Sequence, residues 1–179
     1  KPASSAVAVG QRLTELARPD IGPDILAYLP TRGPGLDHLV NDDRVEAISF
    51  TGSSEVGRKL VGRIASRGGR VQAEMGGQNA SIVLSHADLD HAAATITYAA
   101  MGYAGQKCTA TSRIVVMRDV ASEMIDRLVT LVDGLVVGDP LDELTDVGPL
   151  IDESARDAVQ QSIAGARARG GRLLTNTPA

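Results

Sequence analysis

Only one of the 179 residues is a cysteine, Cys108. A single thiol cannot close a disulfide within the chain, which fits a reducing compartment and makes the cytosol the expected location. No apolar run approaches the roughly 18 residues needed to span a bilayer. The opening stretch KPASSAVAVG also lacks the continuous apolar core of a signal peptide, so no membrane partner is expected. Aromatics make up only 2% of the chain, so a core has to be built from Val, Leu, Ile and Ala. Lysines and arginines form no cluster with interleaved aromatics, and the net charge of −4 is dispersed. The electrostatic signature of a nucleic-acid binder is therefore missing. What remains is 43% hydrophobic and 22% charged, the balance of a soluble α/β protein with length for one or two compact units. The first residue is Lys1, and Thr177-Pro178-Ala179 follow what reads as the start of a strand, so both ends read as cuts.

Apolar residues recur at helical spacing from Ser5 to Arg18, and Pro19 is expected to stop that helix. Ile25 to Leu29 is a short apolar run closed by Pro30, after which Gly33-Pro34-Gly35 turns the chain into a second short helix. Val45 to Phe50 reads as a strand, Glu55 to Ser66 as a helix ended by Gly68-Gly69, and Arg70 to Glu74 as extended chain broken by Gly76-Gly77. From Ile25 onward the order strand, helix, strand, helix, strand is what a parallel sheet with crossover helices requires. The grammar then restarts. Ser81 to Leu84 is strand-like, an Ala-rich helix with Asp88 and Asp90 at its start runs to about Ala104, and Arg113 to Met117 is strongly β. Val120 to Val132 reads as helix, Leu135-Val136-Val137 as extended, and Glu153 to Arg169 as a long helix capped by Gly170-Gly171. A boundary near Gly76-Gly77 divides two α/β halves, residues 1–76 and 77–179.

Three places carry candidate chemistry. Gly52 and Gly57, in TGSSEVGRK, follow a strand and open a helix, where backbone N–H groups can face a phosphate. Arg58-Lys59 after the second glycine rules out a P-loop, and GxGxxG is absent. Ordinary turn chemistry and phosphate binding both stay open on spacing alone. Glu74 ends an extended segment at the strand edge where α/β ligands gather; it is a general base or a solvated carboxylate. Cys108 has the polar neighbours Gln106, Lys107, Thr109 and Thr111, unlike a buried free cysteine, and it lies in a loop where function collects. An ordinary thiol is only a few per cent ionised at neutral pH, and the end of a helix is the negative end of its dipole, so a nucleophile there wants a base. His38, His86 and His91 share no metal-ligand spacing with Cys108, and no metal is expected.

Taken together, these segments resemble the NAD(P)-dependent aldehyde dehydrogenase superfamily. Phe50 to Gly57 is similar to its FTGSxxxG motif, Glu74-Met75-Gly76-Gly77 to its ExGG motif, Gly105-Gln106-Lys107-Cys108 to its GQxC motif, and Lys1-Pro2-Ala3-Ser4 to its KPAE-type segment. The resemblance runs over essentially the whole chain. It implies a Rossmann-like parallel sheet, the second half of a cofactor domain over residues 1–76, followed by part of an α/β catalytic domain over 77–179. The implied chemistry is oxidation of an aldehyde to an acid. Cys108 attacks the carbonyl to give a thiohemiacetal, hydride passes to NAD or NADP, and Glu74 activates the water that hydrolyses the thioester. For the cofactor it implies Ser53 and the amides around Gly52 and Gly57 at the pyrophosphate. Thr51 and the Met75 backbone would lie at the nicotinamide, and Lys1 at the adenosine ribose. Ser4 stands where the family usually has a glutamate that holds the ribose hydroxyls and repels a 2′-phosphate, so NADP is expected to be accepted at least as well as NAD.

The family's oxyanion asparagine lies upstream of its KPAE segment and a ribose-binding glutamate lies downstream of its cysteine, so neither falls in this chain. Gln78-Asn79-Ala80 departs from the commoner Lys-Asn-Pro, a change expected to be neutral for chemistry. GQKCTATSR is most similar to the branch oxidising 2-oxoglutarate semialdehyde, with pyrroline-5-carboxylate and succinate semialdehyde dehydrogenases as neighbours. Lys107 or Arg113 would attract such a carboxylate-bearing substrate. A small-molecule aldehyde is thus the expected partner, and a homo-oligomer the expected assembly of the parent enzyme. Transfer of the acyl group to coenzyme A, and a truncated non-catalytic nucleotide-binding domain, are the alternatives.

Overall fold

The computed structural model describes residues 1–22, 24–31 and 34–175. The expectations for Gly33 and for Thr177-Pro178-Ala179 lie outside the described residues. The chain divides into two compact units, Lys1–Met75 and Gly76–Ala179, and both are built on parallel strands.

In the first unit, helix α1 spans Val7–Ile21 and α2 spans Pro34–Asn41. Strand β1, Ala47–Gly52, then leads into α3, Ser54–Ala65, and β2, Arg70–Met75. The helix expected to stop at Pro19 continues two residues beyond it, to Ile21, and is capped by Gly22, whose φ of +101° suits only glycine. A proline in the last turn removes a single ladder bond, too little to end the helix by itself. Ile25 to Leu29 forms no strand; Tyr28 instead donates its hydroxyl proton to the Val7 carbonyl at 2.6 Å. Strands β1 and β2 pair in parallel across α3, with Ile48 opposite Val71 and Phe50 opposite Ala73. Ile64 of α3 is fully buried. The Arg67 guanidinium holds the Val40 and Val45 carbonyls at 3.2 and 2.6 Å, tying the end of α3 to the chain before β1.

The second unit contains β3, Asn79–Val83, helix α4, Leu89–Met101, and β4, Thr111–Val116. Helices α5, Ala121–Asp133, and α6, Glu153–Ala168, follow. Asp88 caps α4, accepting from the His91 N–H at 3.0 Å, while Asp90 pairs with Arg127 of α5 at 2.7 Å. Strands β3 and β4 are parallel. The core between this sheet and helices α4 and α5 is Val83, Ala93, Ile96 and Met124, with Val116 and Leu128 against it. It contains no aromatic ring, in line with the composition, and methionine joins the aliphatic set. Leu135 to Val137 is not a strand; it contributes one parallel bridge, Val137 to Val147. Among the described residues no helix is long and apolar enough to cross a membrane.

Helix α4 ends at Met101 rather than near Ala104. Its exit runs through Tyr103, Ala104 and Gly105, all left-handed, with φ of 60°, 54° and 69°. Glycine tolerates this conformation; Tyr and Ala carry a steric penalty of roughly 1–2 kcal/mol each. Ala104→Gly is therefore expected to be neutral or to stabilise by up to about 1 kcal/mol, after allowing for glycine's greater unfolded-state entropy. The same change at exposed Ala94, inside α4, should cost about 1 kcal/mol. Thermal midpoints of the two variants measure the difference, and equal destabilisation would show that Ala104 is not left-handed in solution.

Candidate functional site

Only Ser53 separates the end of β1 at Gly52 from the start of α3. A Cβ built on Gly52 would sit 2.5 Å from Phe50 Cζ, so the Phe50 ring lies over the Gly52 backbone and would have to move for any larger residue there. Gly57 is buried, and a Cβ there would meet Met75 Sδ at 2.5 Å and Cγ at 2.8 Å. Its role is the close approach of helix to sheet. The Gly57 N–H donates to the Ser53 carbonyl at 2.9 Å. The Ser53 hydroxyl accepts from the Val56 N–H at 3.3 Å and so caps the helix. The positive end of the α3 dipole opens at the turn from Gly52 to Glu55, at the carboxyl edge of two parallel strands, and this arrangement fits an anionic pyrophosphate. The acidic group nearest that turn is compensated: Lys59 Nζ lies 2.6 Å from Glu55, and its hydrogen bond and charge hold the Glu55 carboxyl below the usual range.

Thr51 pairs with Glu74 and Gly52 with Met75 in the β1–β2 register. Partners in register share a face. Phe50, Ala73 and Met75 are half-buried on the α3 side, whereas Thr51 and Glu74 are exposed together on the other side. A carboxylate and a hydroxyl thus stand side by side at the strand ends. Lys1 and Ser4 are exposed and lead into α1, Ser4 opening a single 3₁₀ turn, Ser4–Ala6.

In the second unit Cys108 is exposed, in a turn closed by the Ala110 N–H on the Lys107 carbonyl at 3.1 Å. Side-chain amides hold this turn from two directions. Asn79, the first residue of β3, donates through Nδ2 to the Cys108 carbonyl at 2.7 Å and the Ala110 carbonyl at 3.1 Å. Gln106 accepts from the Ile151 N–H at 2.9 Å and donates to the Tyr103 carbonyl at 3.3 Å, joining the turn to the loop before α6. Lys107 Nζ sits 5.7 Å from the centre of the Tyr98 ring, a cation–π contact. Arg113 donates to the Gln78 carbonyl at 3.1 Å. A 3₁₀ turn, Gly102–Gly105, leads from the end of α4 towards Cys108.

Among the sequence-derived residues, Thr51, Gly52, Ser53, Gly57, Glu74 and Met75 gather at one end of the β1–β2 sheet in the first unit. Cys108 belongs to the second unit. Sequence reasoning missed Asn79 and Gln106 as struts of the cysteine turn. Nothing in a single side-chain amide marks it out, since Asn and Gln are ordinary loop residues.

Residues 1–178 match the model of the aldehyde dehydrogenase family. A 1-pyrroline-5-carboxylate dehydrogenase of Geobacillus sp. (strain WCH70) is 39% identical over 98% of this chain and 35% of its own length. An NAD-dependent aldehyde dehydrogenase from Sinorhizobium meliloti has a crystal structure that superposes with a TM-score of 0.89 at 33% identity, over 97% of this chain and 35% of that one. An NADP-dependent enzyme from E. coli superposes with a TM-score of 0.88 at 33% identity, over 97% of this chain and 36% of that one. The chain therefore spans about a third of the length of these proteins.

Proposed function

Because the chain belongs to the aldehyde dehydrogenase family, we propose that the full-length protein carrying it oxidises a carboxylate-bearing semialdehyde to the acid with NAD or NADP. Cys108 is the nucleophile and Glu74 the general base. The observation that carries this reading is the exposed thiol of Cys108 in a turn held by Asn79 and Gln106. A free cysteine packed as a small hydrophobe would be buried. The thiolate adds to the aldehyde carbon, and the developing alkoxide is stabilised by backbone N–H donors at the turn. The bound nicotinamide dinucleotide supplies the hydride acceptor. Glu74 takes a proton from the water that cleaves the resulting thioester, releasing acid and free thiol. The Gly52–Glu55 turn holds the pyrophosphate, and the Met75 backbone and Thr51 orient the nicotinamide end.

A carboxylate-bearing substrate is supported by the cation at Lys107, next to Cys108, and by the names of similar proteins, 1-pyrroline-5-carboxylate and methylmalonate-semialdehyde dehydrogenases. The test is aldehyde-dependent cofactor reduction by the full-length protein. A panel of 2-oxoglutarate semialdehyde, glutamate semialdehyde, succinate semialdehyde and uncharged aldehydes of equal length would be compared by kcat/KM. The 2-oxoglutarate semialdehyde is expected to lead, and uncharged aldehydes turning over as well as acidic ones would remove the carboxylate assignment.

Ser4 supports acceptance of NADP. Repulsion of a 2′-phosphate by an added carboxylate at contact distance in water is roughly 1–2 kcal/mol, about tenfold in affinity. Ser4→Glu should therefore raise the KM for NADP about tenfold while leaving that for NAD unchanged or lower. Cofactor titrations of both proteins measure this, and equal KM shifts for the two cofactors would show that position 4 does not face the ribose.

A further inference from the structure

Both hydrogen-bond donors of the Asn79 amide go to the turn that carries the cysteine, to the carbonyls of Cys108 itself and of Ala110. The residue is in turn anchored from behind. Its own carbonyl accepts the Ser112 hydroxyl at 3.1 Å, and the preceding Gln78 carbonyl accepts Arg113 at 3.1 Å. The β3–β4 register slips at this point, with Asn79 opposite Thr111 and Ala80 opposite Arg113, so Ser112 is the extra residue of a bulge. Bulges re-aim the chain beside active sites. Here the bulge lets β4 grip the Asn79 backbone while the side chain reaches forward into the turn.

Resting on the reading of Cys108 as nucleophile, we propose that Asn79 is a positioning residue for it. Its amide pins the carbonyls of Cys108 and Ala110, and the Lys107–Ala110 bond closes the other side of the turn. The Cys108 backbone is thereby set before substrate arrives, and with it the direction of its N–H and of its Cα–Cβ bond. Asn79 itself touches neither substrate nor cofactor. It acts through the turn, from a strand, and supports built on strands hold a site more closely than loops do.

The test uses the full-length protein and the variants Asn79→Ala, Asn79→Asp, Ser112→Ala and Cys108→Ala. Loss of orientation by about 1 Å costs on the order of 100-fold, so Asn79→Ala should lower kcat by roughly 10- to 100-fold. Cofactor KM should stay within about twofold, and alkylation of Cys108 by iodoacetamide, which needs no oriented backbone, should change only about threefold or less. Asn79→Asp places a carboxylate oxygen against two carbonyls and should lose at least as much. Its activity relative to the unaltered protein should rise as pH falls, because a protonated carboxyl regains one donor. Ser112→Ala removes one bond that anchors Asn79 but leaves its amide in place, and should lose less than Asn79→Ala. Normal kcat in Asn79→Ala, or a greater loss in Ser112→Ala, would overturn the proposal. If Asn79→Ala does not fold, the pH response of Asn79→Asp decides, and a flat ratio counts against the assignment. Turnover surviving in Cys108→Ala would instead overturn the nucleophile reading beneath it.

Discussion

Cys108→Ala in the full-length protein is expected to lower aldehyde-dependent cofactor reduction by at least about 10⁴-fold, with cofactor binding unchanged. Losing the nucleophile removes the covalent path entirely, and knock-outs of such residues elsewhere cost on the order of 10⁶ in kcat. A barrier increase of about 5.5 kcal/mol corresponds to 10⁴. Binding should survive because the groups assigned to the dinucleotide lie in the first unit, at Gly52–Glu55 and Met75, whereas Cys108 lies in the second. The variant should therefore still quench or enhance cofactor fluorescence on titration while failing to reduce it. Turnover within tenfold of the unaltered protein would falsify the assignment of Cys108.

The second large effect is expected at Glu74. Glu74→Gln keeps the shape and removes the base, and general-base catalysis is worth typically 10²–10⁴-fold. The loss should fall on thioester hydrolysis alone. Rapid mixing should thus show a burst of reduced cofactor near one equivalent per site, followed by a steady rate slowed about 10²- to 10⁴-fold. The geometry favours a clean result, because Glu74 is exposed on the face opposite α3 and the substitution leaves the Met75 and Phe50 packing untouched. A slowed burst with an unchanged steady-state ratio would place Glu74 in the acylation half instead.

Much of this was legible in the sequence because periodicity and punctuation agree. Strands at Arg70–Met75 and Thr111–Val116 and helices at Ser54–Ala65 and Glu153–Ala168 stand within a few residues of their glycine or cap signals. The misreadings have local causes. Pro19 lies in a last turn, where it costs too little to end a helix, and Ala104 continues an Ala-rich pattern although its backbone is left-handed. Ile25–Leu29 has strand-like residues, yet its Tyr28 is tied to α1 instead of to a neighbouring strand. At the site, residue types announced Cys108, Glu74 and the glycine turn. The contact of Met75 with Gly57 was not legible, because spacing cannot distinguish a glycine that opens to a ligand from one that lets a methionine lie against a helix. Asn79 was invisible for a related reason, since its partners are main-chain carbonyls that every residue possesses.

The packing of Met75 over Gly57 also acts as a check on the chemistry of its neighbour. Side chains alternate along a strand, so sliding β2 by one residue against β1 would send Met75 outward and turn the Glu74 carboxylate into the slot above Gly57. That slot is lined by Phe50 and the half-buried Met75, and an unpaired carboxylate moved into apolar surroundings is penalised. The misregistered sheet is therefore disfavoured, and the helix on the far side of the sheet helps to set which way the proposed base points.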